Sequence, residues 1–143
     1  MNDLAVGVAA RSSRAVTRRQ DYARVVLGLI RLANGAAALL APTLLLRRLA
    51  VDPQRAPAAS YPFRLFGIRT VLIGADLLLK RPQARAEALR VAPIIHASDV
   101  LSAAIAGVRG ELPRRAAVTT ALISALNVTL AIAAQPRATD RPA

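Results

Sequence analysis

The sequence predicts an all-α protein, a four-transmembrane-helix up-down bundle. Three observations carry this. Four apolar runs each approach the ~20 residues that cross a hydrocarbon layer of ~30 Å. The apolar share is 55% but only 3% is aromatic, so the apolar mass is Ala, Leu, Val and Ile, a membrane-protein distribution rather than that of a soluble core. The segments between the runs, RRLAVDPQRAPAAS, KRPQARAEA and RGELPRR, are short and hold Pro, Arg and polar residues.

The runs divide the chain as follows. Residues 1–22 form a basic N-terminal segment, interfacial or disordered. The transmembrane domain covers 23–134, with spans of about 23–46, 62–79, 89–108 and 116–134. A polar tail occupies 135–143. The fourth span carries no charge. Pro62 and Pro113 stand at helix starts, where a missing N–H costs little. Pro42 lies late in the first run and kinks or ends it, and Pro93 falls in the early turns of the third. Tyr22 and Tyr61 head the first two runs, at the depth an amphipathic ring prefers.

The formal net charge is +12, and of the 20 basic residues only Lys80 is not arginine. The arginines are scattered between apolar runs and form no recognition motif, so nucleic acid is not an expected partner. They read as topology signals and as contacts to anionic lipid. Arg11, Arg14, Arg18, Arg19, Lys80, Arg81, Arg85, Arg137 and Arg141 fall on one side of the up-down arrangement. Arg47, Arg48, Arg55, Arg109, Arg114 and Arg115 fall on the other. The larger group marks the cytoplasmic side, which puts both termini in the cytoplasm of a multi-pass protein of the inner (plasma) membrane. The Ala/Arg bias points to a bacterial source. The stretch TRRQDYARVVLGLIRLA has the outline of a twin-Arg export signal, but Asp21 and Arg31 interrupt it. Residues 4–19 place Arg11, Arg14 and Arg18 at helical spacing, as an interfacial helix would.

There is no cysteine, which removes disulfides, thiolate metal sites and Cys nucleophiles. No nucleotide-binding loop, metal cluster or serine-based catalytic arrangement is present, so no cofactor and no metal are expected. Asn127 opens Asn-Val-Thr, but inside a span this is not a glycosylation site.

The informative residues are polar ones inside the spans. Left facing lipid, Arg31, Arg69, Asp76 and Asp99 would cost on the order of 10 kcal/mol together. Two are cations and two anions, so mutual pairing inside the bundle is the expected resolution. Arg69 and Asp76 are seven apart and share a helix face, as do Gly67 and Gly74, where a neighbouring helix can approach. Arg31 and Asn34 are three apart with Gly28 and Gly35 beside them. His96 and Asp99 are three apart, and Thr120, Ser124 and Asn127 form one stripe. Arg31, Asp76, His96 and Asn127 fall roughly 5–10 Å into the layer, and Asn34, Arg69, Asp99 and Ser124 near its middle. The expectation is Arg31 near Asp76 or His96, and Arg69 near Asp99. The candidate polar network is therefore Arg31, Asn34, Arg69, Asp76, His96, Asp99 and Asn127. His96 and Asp99 are the candidate acid–base pair, since a carboxylate can orient an imidazole. Arg64 reads as a snorkelling residue near the outer interface.

The stretches RLFGIR…GADLLL and HASDVLSA, before a small-residue-rich last helix, resemble small four-helix integral membrane proteins of actinobacteria. In outline these are similar to DoxX-like proteins. The resemblance covers about residues 22–134, with Arg64, Gly67, Arg69, Gly74, His96 and Asp99 as its specific part. It implies the fold and brings no activity with it. Three functions fit the residues. The first is a lipid- or small-ligand-binding or assembly component, acting with membrane lipids, a second copy or a membrane protein partner. The second is a membrane-embedded acid–base enzyme, isomerase- or cyclase-like, on an apolar substrate. The third is a proton-coupled transport subunit.

Overall fold

A computed structural model describes the backbone of residues 2–135 and the side chains of 15–135. The tail from 136 onward, with Arg137 and Arg141, and the side chains of Arg11 and Arg14 lie outside the described residues. The described chain is all-helical: α1 (Asn2–Leu40), α2 (Pro42–Arg48), a 3-10 turn (Pro57–Ala59), α3 (Ser60–Leu79), α4 (Pro82–Val108) and α5 (Arg114–Ala133).

Proline and backbone geometry set the boundaries. The first apolar run, expected over 23–46, is split at Ala41, whose φ of −134° and ψ of 53° leave the helix just before Pro42. Upstream, the basic segment and the first run form one continuous helix from Asn2. Pro82 occupies the first turn of α4 and starts that helix seven residues before the expected 89. Pro113 caps α5 in an extended conformation. Two helices close in the same way. After α4, Glu111 N–H donates to Ala106 C=O and Gly110 N–H to Gly107 C=O, with Gly110 left-handed at φ 71°. After α2, Val51 N–H donates to Leu46 C=O and Ala50 N–H to Arg47 C=O, with Ala50 left-handed at φ 58°. Both are Schellman closures, but the second places an alanine where glycine fits without strain.

Packing runs in two tight pairs, α1 against α3 and α4 against α5, and the pairs meet more loosely through α1–α5 and α3–α4. Glycine makes the first pair tight. A Cβ on Gly35 would lie 2.9 Å from Gly67 O, and one on Gly67 would lie 2.8 Å from Gly35 O. One turn pair away, a Cβ on Gly74 would lie 3.0 Å from Gly28 O. The two antiparallel backbones therefore touch at two points seven residues apart, where only hydrogen fits. In the second pair a Cβ on Gly107 would meet Ala117 Cβ at 2.7 Å.

The interior is small and partly polar. Ala38, Ala92, Ala103, Ala117 and Ala131 are buried, and among the described residues only Leu27, Leu46 and Leu77 are large side chains fully enclosed. One apolar cluster joins Ala23, Leu27, Leu77, Leu89, Ala92, Ala131 and Ala134, at the end of the bundle where Gln20 and Gln135 meet. The large apolar residues point outward instead, among them Leu29, Leu72, Ile94, Leu101, Leu122 and Ile132. Among the described residues, three helices are long and apolar enough to cross a membrane: 15–40 within α1, α4 and α5. Their burial within the protein is only 17–33%, so most of each helix surface faces its surroundings. α3 has the length but carries Arg64, Arg69 and Asp76 within its 20 residues.

Candidate functional site

The α1–α3 register, Gly35 against Gly67 and Gly28 against Gly74, sets Arg31 opposite Val71 and its neighbour Thr70. The α4–α5 register, Gly107 against Ala117, sets His96 beside the turn holding Asn127 and Ser124. Each long helix therefore sends a polar side chain inward at about one level. Arg31 (5% exposed), Thr70, His96 (3%), Ser124 and Asn127 are the buried polar residues among those described.

Arg31 and His96 meet across the bundle, between helices that are diagonal to one another. Arg31 Nη2 is 2.7 Å and Nε 3.2 Å from His96 Nε2, and Nη2 also lies 3.4 Å from Nδ1. A guanidinium has donors only. His96 Nε2 must therefore accept, so the imidazole is neutral with its proton on Nδ1. On that side stands Asp99, its Oδ2 3.7 Å from Nδ1 and its side chain 44% exposed. The arrangement is a cation, a neutral imidazole and an anion in sequence. The ring accepts from two of the guanidinium's donors, and Asp99 stands beyond it as a half-exposed counter-charge, which makes the buried arginine tolerable.

The remaining expected site residues lie elsewhere. Asp76 pairs with Lys80 at 2.8 Å along its own helix, not with Arg31. Arg69 and Asn34 are exposed, and no ion pair joins Arg69 to Asp99. Thr120, expected on one stripe with Ser124 and Asn127, faces outward. Asn127 is buried, and its Oδ1 has no hydrogen-bond partner among the described residues.

A second polar connection had no counterpart in the sequence reading. Pro93 lacks the N–H that would bond Leu89 C=O four residues back. Gln135 Nε2 donates to that carbonyl, and Gln20 Nε2 donates to Gln135 C=O at 3.0 Å. The signal was present: a proline inside a helix frees the carbonyl at i−4, and the freed acceptor needs a donor. Likewise Arg24 Nη1 donates at 2.8 Å to Leu77 C=O, an acceptor left open where α3 stops before Pro82.

Surface depressions among the described residues include one of about 550 Å³ between Thr43 and Gln54 and one of about 340 Å³ around Ala104–Arg109. Neither is lined by Arg31, His96 or Asp99. No group of three or more His, Cys, Asp or Glu that would hold a metal occurs among the described residues. No protein family, curated protein or solved structure matches the chain.

Proposed function

We propose that the chain is a four-span protein of a bacterial inner membrane, with both termini in the cytoplasm, and that it acts as a non-enzymatic binding or assembly component. The observation that carries this is an inside-out distribution: alanine, glycine and the Arg31–His96 contact make up much of the interior, and most of the leucine and isoleucine faces outward. Water would oppose that arrangement and lipid would favour it. α3 joins the three more apolar helices as a span because its glycine seam with α1 holds it at the same depth. Exposed Arg18 and Arg19 on α1 and Arg81 after α3 then stand at the cytoplasmic face, suited to anionic lipid. The resemblance in outline to DoxX-like proteins belongs to this proposal and rests on the same α3 and α4 residues.

The Arg31–His96–Asp99 set fits a fixing role. Its imidazole lone pair is already engaged by two donors of Arg31, so His96 holds no free base. The acid–base alternative draws on the half-exposed Asp99 carboxylate beside Nδ1, and it requires Arg31 to let go of the ring first.

The test is extraction followed by lipid analysis. The protein should stay with vesicles through alkaline carbonate washing, and mass spectrometry of the purified protein should find anionic lipid enriched over the bulk membrane. Release by carbonate would end the membrane reading. Absence of any enriched lipid, with the protein folded, would leave assembly as the surviving half.

A further inference from the structure

The cost of Arg69 is unresolved within one copy of the chain. Arg69 lies nine residues from Ser60 and ten from Leu79. At ~1.5 Å per residue that is roughly 14–15 Å from either end of α3, farther than a snorkelling side chain reaches. It is exposed and forms no ion pair among the described residues, and Asp76 on the same helix face is already held by Lys80.

One anion in the bundle matches it. The glycine register puts Arg69 level with about residue 33 of α1. Arg31 touches His96, and α4 runs parallel to α1, so Asp99, one turn on, is level with about residue 34. The two charges stand within a few Å of the same depth. They also share a side of the molecule. On α3, the glycines face α1 while Thr70 and Leu77 turn toward the bundle centre, and Arg69 lies farther round in that direction, beside α4. On α4, Gly107 faces α5, and Asp99 lies on the opposite flank, toward α3. Arg69 and Asp99 thus border the loosely packed α3–α4 groove, one a cation with no ion pair among the described residues, the other a carboxylate 44% exposed that lies 3.7 Å from His96 Nδ1.

We propose that this face binds a second copy of the chain, through reciprocal Arg69–Asp99 ion pairs about a two-fold axis along the membrane normal. A two-fold axis in that direction keeps depth unchanged, so equal depth is the condition for residue i to meet j while j meets i. Each contact removes a cation and an anion from lipid together. A lipid phosphate is a poorer occupant, because it resides at the interface and not at this depth. The inference deepens the assembly role proposed above and rests on α3 being a span.

The experiment uses the full chain in lipid nanodiscs, with dimer fraction read by single-molecule photobleaching. Arg69→Asp and Asp99→Arg, each alone, should weaken dimerisation by about tenfold or more. Mixing the two variants should restore a heterodimer, because both contacts are then complementary. A pairing within one chain predicts no rescue on mixing, whereas exchanging both residues in a single chain restores complementarity under either arrangement. Failure of rescue on mixing, or a parent protein that is monomeric throughout, would overturn the proposal. If Asp99→Arg disturbs the His96 contact and prevents folding, Arg69→Leu and Asp99→Asn serve instead, and an unchanged dimer fraction in both is equally fatal. Single cysteines at Tyr61 and Leu79 separate this failure from failure of the four-span reading, since labelling from the same side would show that α3 does not cross.

Discussion

Gly67→Ala tests the seam between α1 and α3 with one methyl group. The new Cβ would lie 2.6 Å from Leu39 N and 2.8 Å from Gly35 O. Ordinary contact begins at 3.4 Å, so these are short by about 0.8 and 0.6 Å. Both obstacles are backbone, and neither can rotate away. The helices must part by a comparable distance, and a gap of ~0.5–1 Å already forfeits a quarter to a half of each dispersion contact along the seam. Overpacking of this kind costs about 1–3 kcal/mol. Against it, alanine is favoured over glycine in a helix by about 1 kcal/mol. The net expectation is a loss of about 0–2 kcal/mol. Gly35→Ala strains the same contact, so the double variant should lose less than the two single losses added together. Exposed Ala33→Gly calibrates the intrinsic term in the same host. Unfolding by sodium dodecyl sulfate in mixed micelles, followed by circular dichroism, measures all four. A Gly67→Ala protein more stable than the parent by the intrinsic term alone would show that the two backbones do not touch.

Three further outcomes follow from the same contacts. His96→Ala should destabilise by about 3–5 kcal/mol in that assay, because it leaves the Arg31 charge buried and unpartnered, and adding Arg31→Met should recover much of the loss. Gln135→Ala should cost about 0.5–1.5 kcal/mol in the parent but little in a Pro93→Ala background, where Leu89 C=O regains its own helical donor; equal costs in both backgrounds would refute the role assigned to Gln135. Ala50→Gly should stabilise by about 1 kcal/mol by relieving the left-handed alanine after α2, while Gly110→Ala, at the equivalent place after α4, should destabilise by a similar amount.

Much of this protein is decided locally. Run length and the prolines at 42, 82 and 113 determine where helices start and stop, because a missing N–H and a fixed φ act within a few residues. Arg31, His96 and Asp99 stand out in the sequence because charge in an apolar run is expensive wherever the run folds, and their depths follow from counting residues along each helix. Which way each side chain faces is a different matter. In a soluble helix an apolar stripe marks the inner face, but these helices are apolar nearly all round, so periodicity labels no side. Asn34 and Arg69 had the same sequence credentials as Arg31 and ended on the outside. Only the tertiary structure settled that, and it did so through close approach: the glycine pairs fix the rotation of α1 against α3, and that rotation turns Arg31 and Thr70 inward and Arg69 out. The Gln20–Gln135–Leu89 link depends on residues more than forty apart meeting at one end of the bundle, a fact that no local preference encodes.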